Sequence, residues 1–210
     1  MTGFAADRGT TVLFDWNGTV VLDAERARDA LNRVLASHGL AALDVQGFSR
    51  EFHLPMAAMF DRLGIPESAP AERAWNSHMA AAETSAREGV SALRSLHAEG
   101  IRLGVISAAF EHAVRSDMVA LDLLGLWESV DAPATDKLAV LKGRRGLEET
   151  AYYVGDTAYD MRCALAAGFI PVGVDRGYTH TAALIEAGAK RIISSFEELP
   201  AIIGATAISA

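Results

Sequence analysis

A chain of 210 residues, 50% hydrophobic and 22% charged, has ordinary globular composition. That excludes a disordered or collagen-like polymer and leaves room for one large domain, or a core with a small insert. The net charge of −8 argues against a general nucleic-acid binder, which needs clustered Lys and Arg against phosphate.

No apolar run reaches the roughly 18–20 residues that span a bilayer. The opening MTGFAADRG lacks the basic start and apolar stretch of a secretory signal. The single cysteine, Cys163, rules out an internal disulfide framework and a multi-cysteine zinc site. A cytoplasmic protein with no membrane or nucleic-acid partner is expected, as a monomer or homodimer.

The first strong segment, Thr10 to Phe14, is short, β-branched and apolar, and stops at Asp15-Trp16-Asn17-Gly18-Thr19. It predicts a buried strand running into a tight turn. From Ala24 to Leu40 the period becomes helical, with Ala27, Leu31, Val34 and Leu35 on one face, Asp23 as N-cap and Gly39 at the end. Further helices are expected at 56–63 and 71–86, and no strand between Val20 and Ala86. Beyond Gly89, helices at 90–98, 110–121, 137–141, 158–167, 181–187 and 196–203 alternate with strands at 101–106, 151–154, 170–174 and 191–193. That alternation predicts an α/β fold, a Rossmann-like parallel sheet with helices on both faces. The expected partition is a discontinuous core, 1–20 and 87–210, with an all-helical insert at 21–86.

Ligands of such sheets bind beyond the carboxyl ends of the strands. The first strand ends in Asp15, the second in Ser107, and the third in Gly155-Asp156-Thr157-Ala158-Tyr159-Asp160. Lys137 opens the helix before that third strand. Singly, each has an ordinary reading: a strand-end Asp or Ser caps a turn, and Asp156 or Thr157 caps the next helix. Lys137 is less ordinary, because a cation in the first turn opposes the helix dipole. A negative partner nearby would explain it, and lysines occur only at 137, 142 and 190.

In order and placement the set resembles the haloacid dehalogenase superfamily, in its phosphoglycolate phosphatase-like subgroup with a helical cap. Asp15-Trp16-Asn17-Gly18-Thr19 is similar to the first motif, Ser107 to the second, Lys137 to the third, and Gly155 to Asp160 to the fourth. The insert at 21–86 looks like the cap. The resemblance implies a Mg²⁺-dependent phosphatase that acts on a small phosphorylated metabolite through an aspartyl-phosphate. Asp15 would be the nucleophile. Asp15, Asp156 and the main-chain carbonyl of Asn17 would hold the metal. Ser107 and Lys137 would bind the phosphoryl oxygens. Backbone N–H groups around Gly18, Thr19 and Ala108 would extend that cradle. Thr157 and Asp160 would support it, Asp160 orienting Lys137 or a metal-bound water.

One position departs from the pattern. Most phosphatases of the superfamily carry a second Asp two residues after the nucleophile, as proton donor and later base. Asn17 is an amide and does no acid–base work, whose usual contribution is about 10²–10⁴-fold. Superfamily dehalogenases also lack that Asp but need no metal, and the intact fourth motif opposes that reading. Phosphonoacetaldehyde hydrolases use a cap lysine, and residues 21–86 contain none. A phosphotransferase or mutase, and a catalytically weakened phosphate-binding or regulatory protein, remain as alternatives. In the insert, the stretch Ser49 to Pro55 is the expected specificity loop. There Arg50 is a candidate for an anionic substrate group, and His53 or Glu51 for the missing acid. Solvated roles at a helix edge weigh at least as much. Cys163, Trp75 and Trp127 read as packing residues.

Overall fold

The computed structural model describes residues 9–53, 55–146 and 150–207, with side chains described as far as 204. The first eight residues and Leu54 of the expected specificity loop lie outside the described residues. The chain divides into two compact units, one made of the segments up to Leu22 and from Thr84 onward, the other of Asp23–Glu83.

The first unit is built on a six-stranded sheet. Its strands are β1 (Thr10–Phe14), β2 (Arg102–Ile106), β3 (Ser129–Asp131), β4 (Thr150–Gly155), β5 (Ile170–Val174) and β6 (Arg191–Ile193). All pairs are parallel, in the order β3-β2-β1-β4-β5-β6. Side chains of a strand alternate between faces, and both faces are apolar. Val12, Phe14, Leu103, Val105, Tyr152 and Val154 enter one buried cluster, while Leu13, Ile106, Ala151 and Tyr153 enter another. This two-sided burial is why these segments read as continuous apolar runs.

β3 was not expected. Its three residues are all half-buried and follow a 3₁₀ turn at Leu124–Leu126, so they carry no apolar run to signal a strand.

The second unit is helical: α1 (Ala24–Ser37), α2 (Val45–Glu51), α3 (Met56–Arg62) and α4 (Ser68–Ala80). Ala27, Ala30, Leu31, Val34 and Leu35 form the buried stripe of α1. α3 contributes Met56, Met59 and Phe60, and the Trp75 indole of α4 donates to the Ala27 carbonyl at 3.2 Å. Gly39, at φ +71°, follows the end of α1 as a residue without Cβ can.

α2 was not expected, and Ser49, Arg50 and Glu51 lie in it and not in a loop. They are helical because the Asp44 side chain accepts from Gly47 N–H and starts the turn. The unit is also shorter than the expected 21–86. Val21 and Ala86 form an antiparallel bridge, flanked by Leu22 N–H to Ser85 O at 2.8 Å and Arg87 N–H to Val20 O at 3.0 Å. Those hydrogen bonds keep both connecting segments with the sheet unit.

The remaining helices are α5 (Ala92–Ala98), α6 (Glu111–Ala120), α7 (Lys137–Arg144), α8 (Ala158–Ala166), α9 (Thr181–Glu186) and α10 (Leu199–Ala207). Among the described residues no helix is long and apolar enough to cross a membrane.

Candidate active site

β1 lies between β2 and β4, so the chain reverses its direction of travel across the sheet there. That switch point opens a crevice at the carboxyl edge. Asp15, Ser107 and Asp156 follow the last residues of β1, β2 and β4 and stand side by side. Asp15 is locked to its neighbour by its N–H, which donates to Val154 O at 2.9 Å.

Lys137 is the first residue of α7 and only 8% exposed. Its Nζ donates to Asp15 Oδ1 and Asp160 Oδ1, each at 2.7 Å. These carboxylates are the negative partners that its place at a helix N-terminus requires. Asp160 is fixed in turn. Its Oδ2 accepts from Thr157 N–H at 3.1 Å and from the Thr157 hydroxyl, and its own N–H donates to Thr157 Oγ1. This capping box starts α8. Tyr153, an apolar-run residue of β4 with no motif signal, donates its hydroxyl to Asp160 Oδ1 at 3.4 Å.

Asp156 is fully buried. Its Oδ1 accepts from Thr19 Oγ1 at 3.1 Å and its Oδ2 from Tyr178 N–H at 2.7 Å. Thr19 Oγ1 also lies 3.4 Å from Asp15 Oδ2, so one hydroxyl spans both carboxylates. The Thr19 side chain thus orients both carboxylates. The Gly18 and Thr19 N–H groups are likewise turned into their own loop, to Val21 O at 2.9 Å and Trp16 O at 3.2 Å.

Ser107 Oγ accepts from Ala109 N–H at 3.1 Å and faces Asn17 Oδ1 at 3.5 Å. Ala108, between them in the chain, is exposed, and Asn17 is half-buried. Arg50 and His53 lie in the helical unit. Arg50 is on α2 with its Nε 3.0 Å from Glu51 Oε1, and His53 is exposed just after that helix. The residues gathered around Asp15 come from the sheet unit.

The carboxyl oxygens of Asp15, Asp156 and Asp160 fall within 4.8 Å of one another. Burial pushes the Asp15 carboxyl up to about 6, Lys137 opposing and Asp160 adding to the shift. Burial pushes Asp156 well above the usual carboxylate range, reinforced by the charges of Asp15 and then Asp160. Lys137 is raised well above its ordinary value because Asp15 and Asp160 outweigh the burial that lowers it. Three buried carboxylates thus share one lysine, and the cluster is short of positive charge. Oxygen donors in such a deficit fit a hard divalent cation. Asp160 differs in carrying three close donors, Lys137 on Oδ1 and the Thr157 N–H and hydroxyl on Oδ2.

The sequence profile described as haloacid dehalogenase-like hydrolase matches residues 12–174, more than three-quarters of the chain. The chain belongs to the haloacid dehalogenase-like hydrolases. Within reach of this family it is 31% identical to a phosphoglycolate phosphatase of Rhodospirillum rubrum over 216 aligned residues, covering 90% of this chain and 88% of that protein. It is 28% identical to a phosphoglycolate phosphatase of Cereibacter sphaeroides, covering 91% and 96%. The structure of a haloacid dehalogenase-like hydrolase from Streptococcus pneumoniae superposes with a TM-score of 0.80 at 18% identity, covering 94% of this chain and 99% of that one. That last likeness is one of fold. The parallel α/β sheet expected from the alternating elements is the family's architecture.

Proposed function

We propose that the protein is a phosphoric monoester hydrolase that uses Asp15 as nucleophile and Mg²⁺ as cofactor on a small phosphorylated metabolite. The observation that carries this reading is the arrangement of Asp15 beside Asp156 with Lys137 Nζ at 2.7 Å. Asp15, Asp156 and the main-chain carbonyl of Asn17 would hold the metal. When bound, Mg²⁺ supplies positive charge that reduces repulsion between the attacking carboxylate and the phosphate.

The residues of the chain do the rest. Asp15 attacks phosphorus in line and forms an aspartyl-phosphate, which water then hydrolyses. Lys137, fixed by Asp160, stabilises charge on the phosphoryl oxygens as the transition state forms. The Ser107 hydroxyl offers a further donor at the adjacent strand end. Asn17 orients by hydrogen bonding and transfers no proton, so the leaving oxygen is protonated by another group or leaves as the anion. The helical unit serves as the cap and selects the substrate, with Arg50 and His53 as its candidate contacts. The named activity of the 28–31% identical relatives makes 2-phosphoglycolate the first substrate to test.

A binding or regulatory protein is the second reading, and Asn17 is the observation that favours it. One assay separates the two. The purified protein is incubated with Mg²⁺ and an aryl phosphate, whose leaving group departs without a proton, and in parallel with 2-phosphoglycolate. Mg²⁺-dependent phosphate release from the aryl ester supports the hydrolase. Metal-dependent ligand binding with no release from either ester overturns it.

A further inference from the structure

Among the described residues Arg87 is the one buried arginine, 3% exposed, and the motifs give it no role. Its guanidinium donates to three main-chain carbonyls: Nε to Thr19 O at 2.7 Å, Nη2 to Gly18 O at 2.6 Å and Nη1 to Asp175 O at 2.8 Å. Two of these belong to the loop after β1 and the third to the loop after β5. These are the same loops that hold Asp156, through the Thr19 hydroxyl on Oδ1 and the Tyr178 N–H on Oδ2.

The loops leave little slack. A methyl group in place of hydrogen at Gly18 or Gly177 would run into the Asp156 side chain, and one at Gly18 would also lie 2.6 Å from Tyr178 Cδ2. A displacement of either loop is therefore passed directly to the carboxylate. Planar geometry with donors along several directions is what spans two loops at once, and an ammonium lacks it. The cation also stands in the field of Asp156, which opposes the lowering of its pKa by burial.

We propose that Arg87 is a positioning residue for Asp156: by pinning the Gly18, Thr19 and Asp175 carbonyls it fixes the two donors that aim the carboxylate at its ligand. The inference rests on the Asp156 role given under the proposed function. Outer partners of a metal-binding side chain commonly contribute about 10–100-fold to metal affinity, and a loss of that size is expected here.

The test uses Arg87→Lys, which keeps charge and a carbonyl contact, and Arg87→Gln, which removes the buried charge and keeps one amide donor. Mg²⁺ affinity is measured by calorimetry. Exchange of the Tyr178 amide is measured by NMR in the metal-free protein. Folded variants with Mg²⁺ affinity reduced by about 10–100-fold and faster Tyr178 exchange support the proposal. A smaller further loss when Arg87→Gln is added to Thr19→Val than when it is made alone also supports it. A folded Arg87→Gln protein with unchanged affinity and unchanged exchange overturns it. So does failure of both variants to fold, which would make Arg87 a residue of the fold alone. If the unaltered protein binds no Mg²⁺, the metal role of Asp156 fails, and Tyr178 exchange still decides whether Arg87 holds that side of the carboxylate.

Discussion

Lys137 Nζ donates to Asp15 Oδ1 at 2.7 Å across 122 residues of chain. The same amine binds Asp160 Oδ1 at the same distance, so one buried cation ties the end of β1 to the first turn of α8. Removing it leaves two buried carboxylates facing each other without their counter-ion. Lys137→Met should therefore cost about 3–5 kcal/mol, the usual penalty for breaking a buried pair, and abolish turnover. Denaturant unfolding monitored by circular dichroism checks the first part. A loss below 1 kcal/mol would mean the ion pair is not held as described.

Asp15→Asn should eliminate phosphate release while leaving the fold intact, because a neutral amide is a poor nucleophile and a poor metal ligand. It also relieves like-charge repulsion with Asp156 and Asp160. Steady-state assays on a sample checked by mass spectrometry for deamidation decide this, and full activity would remove Asp15 from the chemistry.

The raised carboxyls make metal-free stability depend on pH in a specific direction. A carboxyl whose folded-state pKa exceeds its unfolded value binds its proton more tightly when folded. Stability then falls as pH rises from 3.8 toward about 6 for Asp15, and the raised Asp156 carboxyl adds a loss of the same sign as pH rises above 3.8. Asp156→Asn removes one of these two penalties. It should raise the Tm of the chelator-treated protein at neutral pH above that of the unaltered protein, and abolish the further rise that Mg²⁺ produces. Thermal melts with chelator and with Mg²⁺ across a pH series test both halves. A lower metal-free Tm at neutral pH would contradict the charge deficit.

Mg²⁺ binding should release protons at pH values near and below 6, since the ligands must be ionised to bind. Calorimetric titrations in buffers of different ionisation enthalpy measure this release. Heats independent of buffer in that range would show that Asp15 and Asp156 are already ionised in the metal-free protein.

Asn17→Asp places a carboxyl group where the amide oxygen now faces Ser107 Oγ at 3.5 Å. If the missing acid limits the reaction, turnover of alkyl phosphates should rise by up to about 10²-fold, with a smaller gain on aryl esters. If another group already delivers the proton, the added charge only repels the phosphate, and turnover falls on both. Rates on both ester classes at several pH values distinguish these outcomes. No change on either, with Mg²⁺ binding retained, would show that residue 17 does not face the leaving group.

The sequence by itself determined the α/β class, because strands buried on both faces, such as Val12 to Phe14 and Tyr152 to Val154, must be apolar throughout. It also marked Asp15, Ser107, Lys137 and Asp156, since strand ends and an ill-placed helical lysine are local signals. What it left out depends on pairings far apart in the chain. β3 has no apolar run and is defined by its hydrogen bonds to β2. α2 rests on one Asp44 cap in a polar stretch. The Thr19 side chain bridges two carboxylates, a role set by how the β1 and β4 ends converge. Arg87 is an unremarked arginine in the sequence. Only tertiary structure brings it to Gly18, Thr19 and Asp175, because main-chain carbonyls carry no residue identity for a sequence to display.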